Sequence, residues 1–249
     1  KLEIAEGVTD KGFLLLNGDD VRLVAAAKKT GKTCYFFGTS ARCDIRAHTI
    51  TVTKSFHTRF TVDETEYDLP VAGRHFVYSV LPAIFLARRF GVEEKQIVRA
   101  VARLEAASMR GGLVKRGGTT FIIDCYNANP TSMAHAIDLL CEIAPAPRRV
   151  AIVGDMLELG AYALKLHRNL GRQLARAGID RVIAVGEFAS TIKKAMGRES
   201  ARAVAVSDAG EAAACAASLI RKGDTVLVKG SRGVHLETVI EHLETSRKR

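Results

Sequence analysis

The sequence predicts an α/β protein whose carboxyl-terminal part is a mostly parallel sheet with helices on both faces, preceded by a smaller α/β portion containing an antiparallel hairpin. Three observations lead there. From about residue 113 onward, short apolar runs alternate with helical patterns, the rhythm of βαβ units. Those runs are continuous in Val, Ile and Ala, as strands covered on both faces must be. Residues 45–53 and 58–62 instead alternate polar and apolar side chains around a polar turn, the pattern of a hairpin.

Taken in chain order, residues 13–16 read as a strand that ends in Asn17-Gly18-Asp19-Asp20, and residues 34–37 as a second. Between them, Thr30-Gly31-Lys32-Thr33 imitates a phosphate-binding loop. The motif needs a Gly where Ala26 stands, and it should open a helix, whereas this segment precedes a strand. After Gly73 come two helical stretches, about 77–90 and 93–107, and the Arg-Gly-Gly run at 110–112 is a plausible junction. Strands follow at 119–123, 150–153, 182–185, 203–206 and 225–228. The first ends in Asp124 and runs into Asn129, a natural N-cap, and Pro130, a natural first helical residue. The unpaired N–H groups of such a helix start favour a bound phosphate or carboxylate. A helix over about 162–177 puts Leu166, Leu170 and Leu174 on one face and Arg168, Arg172 and Arg176 on the other. Asp208 and Glu211 have the spacing of a capping box.

Composition narrows the classes of function. At 249 residues with 47% hydrophobic content and no long apolar run, the chain reads as soluble and globular, with no membrane segment. Its first residues lack the layout of a signal peptide. The five cysteines (Cys34, Cys43, Cys125, Cys141, Cys215) are scattered without a C-x-x-C pair, which fits reduced thiols in a cytoplasm. Cys125 reads as a small buried residue. The net charge of +10 is spread along the chain, aromatics are only 6%, and no nucleic-acid motif is present. Such a field favours polyanionic small molecules.

Three segments at strand ends carry the chemistry: Ile122-Ile-Asp-Cys-Tyr-Asn-Ala-Asn-Pro-Thr-Ser-Met133, Val153-Gly-Asp-Met-Leu-Glu-Leu-Gly160 and Leu227-Val-Lys-Gly-Ser-Arg-Gly233. In order and approximate spacing they resemble the carboxyl-terminal domain of Mur ligases. The wording is similar to that of the branch that adds D-alanyl-D-alanine to UDP-N-acetylmuramoyl-tripeptide: DDSYNANPxSM, LGDMLELG and KGSRG. The resemblance implies a Rossmann-like ligase domain over 109–249 and, over 1–108, part of a central ATP-binding domain. It further implies ATP and Mg²⁺ as cofactors, both substrates as partners, a cytoplasmic role in peptidoglycan synthesis, and amide formation through an acyl phosphate. The central domain's Gly-x-x-Gly-Lys-Thr loop and the amino-terminal UDP-sugar domain are not found in this sequence, so the expectation is a partial enzyme, inactive without its amino-terminal portion.

Residue by residue, the resemblance implies that Lys1 is a catalytic, carbamylated ligand of Mg²⁺ and that Asp124 is a catalytic acid at the ribose or phosphates. His75, Arg110, Asp124, Tyr126, Asn127 and Asn129 would meet the nucleotide; Asp155, Glu158, Lys229, Ser231 and Arg232 would meet the substrates. Lys229 and Arg232 are expected to receive the dipeptide carboxylate, since a guanidinium matches a carboxylate bidentately. His167 stands in the expected place after the second segment, where a lone His on an amphipathic helix is more often structural. Two departures stand out: the family's GxHNxxN reads Gly73-Arg-His-Phe-Val-Tyr-Ser79, with Phe76 and Ser79 replacing both Asn, and Ile123 replaces the first Asp of DDSYNANP. A second class of reading stays open at this point, a non-catalytic α/β module that holds a nucleotide or an acidic ligand.

Overall fold

The computed structural model of the chain describes residues 2–105, 112–143 and 148–246. It folds as two compact units, Lys1–Glu105 and Ala106–Arg249.

The first unit is built on a five-stranded sheet of order β1-β2-β3-β4-β5. Its strands are β1 (Leu14–Asn17), β2 (Cys34–Gly38), β3 (Ile45–Val52), β4 (Thr58–Val62) and β5 (Thr65–Leu69), with α1 (Val21–Ala27) between the first two. The pairs β1/β2 and β2/β3 are parallel, whereas β3, β4 and β5 form an antiparallel meander. The anticipated hairpin is therefore β3/β4, with Val52 opposite Thr58. The helices α2 (Val77–Arg89) and α3 (Glu94–Val101) complete the unit. Its core holds Phe60 stacked on Tyr67, with Leu81 and Ile84 of α2 fully buried. The buried Thr58 hydroxyl donates to Val71 O and accepts from Gly73 N–H, which holds the chain where it enters α2. Residues 30–33 lie between α1 and β2 and lead into a strand, so the Gly-Lys-Thr there opens no helix.

The second unit carries a six-stranded sheet of order β10-β9-β8-β11-β7-β6. Its strands are β6 (Gly112–Arg116), β7 (Thr119–Asp124), β8 (Arg149–Gly154), β9 (Arg181–Val185), β10 (Ala203–Val206) and β11 (Thr225–Lys229). All pairs are parallel except the β6/β7 hairpin at one edge. Crossovers are made by α4 (Pro130–Ile143), α5 (Ala163–Arg176), α6 (Ala189–Ala195) and α7 (Ala209–Leu219), and α8 (Glu237–Ser246) follows β11. Side chains alternate between the sheet's faces. Val150, Ile152, Ile183, Val185, Val226 and Val228 pack against Ala212, Ala213 and Ala216 of α7 and Leu236, Val239 and Leu243. On the amphipathic α5, Leu170 and Leu174 are buried while Arg168, Arg172 and Arg176 face water, as the period predicts. Of the expected capping box, Asp208 accepts from Glu211 N–H as predicted, while the Glu211 carboxylate accepts from Ser207 N–H, one residue before the cap. No helix among the described residues is long and apolar enough to cross a membrane.

Candidate functional site

The register of the second sheet brings three of the singled-out segments to one edge. Lys229, the last residue of β11, lies opposite Asp124 on one side and Val153 on the other, so the ends of β7, β11 and β8 are adjacent and point the same way. Carboxyl ends of parallel strands at a point where the strand order reverses are where open α/β sheets bind ligands. Here β8 proceeds outward to β9 and β10, whereas the chain returns to place β11 between β8 and β7.

Asp124 and Lys229 form the centre of this rim. The Lys229 ammonium donates to Asp124 Oδ2 at 2.6 Å, to Asn127 O at 3.0 Å and, at the limit of contact, to Asp124 O at 3.5 Å. Its side chain is 1% exposed against 20% for Asp124. A lysine so buried is paired by necessity, since an isolated ammonium there is too costly. Its three hydrogens are directed at protein oxygens, which leaves it no surface from which to receive an external carboxylate. Beyond Asp124, Asn129 caps α4 by accepting from Ser132 N–H, and the Ser132 hydroxyl accepts from Asn129 N–H. With Pro130 lacking an N–H and that of Ser132 taken, this helix start offers an anion less than its sequence suggests. Asn127 turns its side-chain oxygen to Ala128 N–H. Cys125 is fully buried, and burial pushes its thiol up to about 11, so it is packing and not a nucleophile.

The β8 and β11 ends are stitched together. Ser231 N–H donates to Asp155 O, and the Ser231 hydroxyl accepts from Leu157 N–H at 2.9 Å. A Cβ on Gly230 would lie 2.9 Å from the Leu236 side chain and 3.2 Å from Gly154 Cα, and one on Gly154 would lie 2.9 Å from the Val234 side chain, so the packing here is tight at both glycines. Asp155 is buried and its carboxylate accepts from Glu187 N–H (2.7 Å) and Phe188 N–H (3.1 Å) in the loop after β9. Burial pushes its carboxyl upward, against the pull of those two amides. Next to this rim a cleft of about 440 Å³ opens, lined by Leu157, Gly186, Asp208, Val234 and Thr238 among others. Glu158 and Arg232 are exposed beside it. The Arg232 guanidinium lies over the Tyr126 ring, 5.6 Å from its centroid, which ties the third segment to the first. Glu158 holds a left-handed backbone, φ 61°, which is costly for a non-glycine residue and is concentrated at functional loops.

Of the anticipated site residues, then, Asp124, Tyr126, Asn127, Asn129, Asp155, Glu158, Lys229, Ser231 and Arg232 share one rim. Asp155, Lys229 and Ser231 have their polar atoms turned to protein partners, whereas Glu158 and Arg232 face outward. His75 belongs to the first unit, where it is the middle residue of the short turn Arg74–Phe76 ahead of α2, with its ring against Phe76. Lys1 and Arg110 lie outside the described residues. Sequence reasoning missed what holds Asp19 of Asn17-Gly-Asp-Asp20: its carboxylate accepts from Thr39 N–H, the Thr39 hydroxyl, Ser40 N–H and the Tyr78 hydroxyl, joining the ends of β1 and β2 to α2. It also missed the cleft, which joins Asp155 and Leu157 of the second segment and Gly233 of the third to Gly186 and to residues 207–210, which no motif marks.

Comparison with known proteins agrees with this architecture. Residues 1–87 match the Mur ligase middle domain, and residues 109–232 match the Mur ligase glutamate ligase domain. The chain is 30% identical, over 98% of its length, to UDP-N-acetylmuramoyl-tripeptide--D-alanyl-D-alanine ligase of Bacillus subtilis and covers 53% of that protein. It is 32% identical to the Escherichia coli enzyme of the same name, with 98% of this chain and 54% of that protein covered. A crystal structure of MurF from Acinetobacter baumannii superposes with a TM-score of 0.84 at 28% identity, covering 98% of this chain and 54% of the other. The chain thus spans about half the length of the relatives it matches. On these matches and on the sheet they explain, the chain belongs to the Mur ligase family.

Proposed function

We propose that this chain supplies the middle and carboxyl-terminal parts of a cytoplasmic, ATP-dependent ligase of peptidoglycan synthesis that joins D-alanyl-D-alanine to UDP-N-acetylmuramoyl-tripeptide. In this reading it acts together with an amino-terminal portion that holds the UDP-sugar. The observation that carries the reading is the cross-linked rim, in which the three segments matching the ligases named for this reaction meet at adjacent strand ends.

The residues of the rim fit a nucleotide. Asp124 keeps a fifth of its side-chain surface in contact with water while Lys229 holds it in place, so it can accept hydrogen bonds from a ribose or balance a cationic neighbour. Tyr126, Asn127 and Asn129 flank it, and Arg232 brings a guanidinium suited to phosphate or carboxylate oxygens. Bound ATP would supply the phosphoryl group that activates the tripeptide carboxylate. Among the described residues no three His, Cys, Asp or Glu side chains are grouped as a metal site; Mg²⁺ is commonly held by one or two carboxylates together with substrate phosphates, and we assign it no step. The Mg²⁺-ligand role of Lys1, the nucleotide roles of Arg110 and His75, and the domain division at 108/109 belong to the same proposal.

Division of labour follows from burial. Lys229, Asp155 and Ser231 hold the loops, while Arg232 and Glu158 act on what enters the cleft. Arg232 receives the carboxylate of the incoming dipeptide, and Glu158 faces its ammonium end. The cleft volume suits a dipeptide and orients its amine, which is the main thing a ligase of this kind must do. The test is direct: the whole protein, given ATP, Mg²⁺, UDP-N-acetylmuramoyl-tripeptide and D-alanyl-D-alanine, forms the pentapeptide product with stoichiometric phosphate release. Absence of product with an intact protein that binds ATP would favour a non-catalytic binding module instead.

A further inference from the structure

His167 is fully buried on α5, and both of its ring nitrogens are committed. Nδ1 lies 2.8 Å from Ala163 O, and a carbonyl only accepts, so Nδ1 carries the proton. Nε2 accepts from Met156 N–H at 2.9 Å, so it carries none. The ring is thereby a neutral imidazole of one tautomer, stacked on Phe188 at 4.3 Å with the planes 10° apart. Asp155 Oδ1 lies 3.8 Å from Nε2. The contact to Met156 sits between two others: Asp155 O accepts from Ser231 N–H, and Leu157 N–H donates to the Ser231 hydroxyl. Three consecutive residues past the end of β8 are thus pinned, one of them from α5 by His167. What they present is the Leu157 side chain, which lines the cleft, and Ser231, which precedes Arg232.

We propose that His167 is a positioning residue for the cleft: as the neutral Nδ1–H tautomer it holds the backbone N–H of Met156, and through that contact sets Leu157 and Arg232 for the incoming dipeptide. The inference rests on the proposed function only for what the cleft binds, and its two arms separate the two. The first arm needs no substrate. In the ¹⁵N-histidine-labelled chain, the expected spectrum has a pyrrole-like Nδ1 and a pyridine-like Nε2 for His167, and an Nε2–H tautomer or an imidazolium would overturn the proposal.

The second arm uses two amides of different reach in the whole protein. The oxygen of His167→Gln can take the place of Nε2, whereas His167→Asn reaches only the position of Nδ1 and leaves Met156 N–H unpaired. Losing that one hydrogen bond predicts, for His167→Asn, about a tenfold rise in KM for D-alanyl-D-alanine with kcat little changed, and about a tenfold loss of Met156 amide protection. His167→Gln restores both. Equal effects of the two variants on Met156 protection and on KM would overturn the proposal. Altered protection without altered KM would retain the latch and overturn its role in placing the dipeptide. If the wild-type protein makes no product, protection alone decides the Met156 contact, and the failure falls on the proposed function.

Discussion

Replacing Lys229 with Met retains most of the buried aliphatic stem and removes the ammonium, which isolates the electrostatic role of the pair with Asp124. At an N–O separation of 2.6 Å and an effective dielectric of about 20, the gross attraction is about 6 kcal/mol. Much of that is offset by the cost of desolvating the lysine. Breaking a buried pair by deleting one partner nevertheless costs about 3–5 kcal/mol, because the other charge is left behind. Asp124 retains 20% of its side-chain exposure and can recover some water, so about 3 kcal/mol is expected. The two compact units make a single global unfolding transition unsafe, so the readout is native-state hydrogen exchange of the Val226, Leu227 and Val228 amides in β11. The double variant with Asp124→Asn removes the stranded carboxylate and recovers part of the loss, with a coupling energy of about 2 kcal/mol. A loss under about 1 kcal/mol for Lys229→Met, or strictly additive effects, would refute the view that Lys229 is an internal brace.

Other predictions follow from the same contacts. Arg232→Ala raises KM for D-alanyl-D-alanine by about tenfold to a hundredfold with a smaller effect on kcat, and Arg232→Lys recovers only part, since an ammonium cannot reproduce a two-pronged contact. An unchanged KM would remove Arg232 from dipeptide binding. In the first unit, partial burial would raise the Asp19 carboxyl, but hydrogen bonds from Ser40, Thr39 and Tyr78 outweigh it and hold the group well below the usual carboxylate range. A depressed carboxyl stabilises the fold above the unfolded value and loses that contribution as pH falls through the folded one. Protection of β1 and β2 amides should therefore decline below about pH 4 in the wild type, and Asp19→Asn should flatten that limb while lowering protection at neutral pH. Cys125, buried and with its thiol pushed up to about 11, should resist alkylation at pH 8 in the folded chain and react only on unfolding; rapid labelling of native Cys125 would contradict the packing described.

Much of the fold is legible in the sequence because its signals are local. Continuous apolar runs mark β7 to β11, polar alternation marks β3 and β4, and Asn129-Pro130 and Asp208 with Glu211 mark helix starts whose caps close within three residues. The elements that escape are those with weak patterns. Strand β6 starts at a glycine and lies at the sheet edge, β5 carries Glu66 and Asp68 on its outer face, and α1 is only seven residues long. The site divides the same way. Which residues stand at strand ends can be read from the chain, but which are consumed inside the protein cannot. Lys229 and Asp124 are 105 positions apart, Ser231 and Leu157 are 74 apart, and Asp155 and Glu187 are 32 apart. A lysine at a strand end reads as a ligand contact until its long-range partner is seen. The same holds for Ser231 and Asp155, whereas Arg232 and Glu158 stay exposed, Arg232 with its guanidinium over the Tyr126 ring.

The convergence of three strand ends into a single site is tested most directly by mapping ligands onto the backbone amides of the chain. Titration with D-alanyl-D-alanine and with ATP–Mg²⁺, followed by ¹⁵N chemical shifts, should move amides of Asp124 to Asn129, Met156 to Glu158 and Ser231 to Arg232 together. Shifts confined to one of the three segments, or scattered over surface lysines and arginines away from the rim, would contradict it.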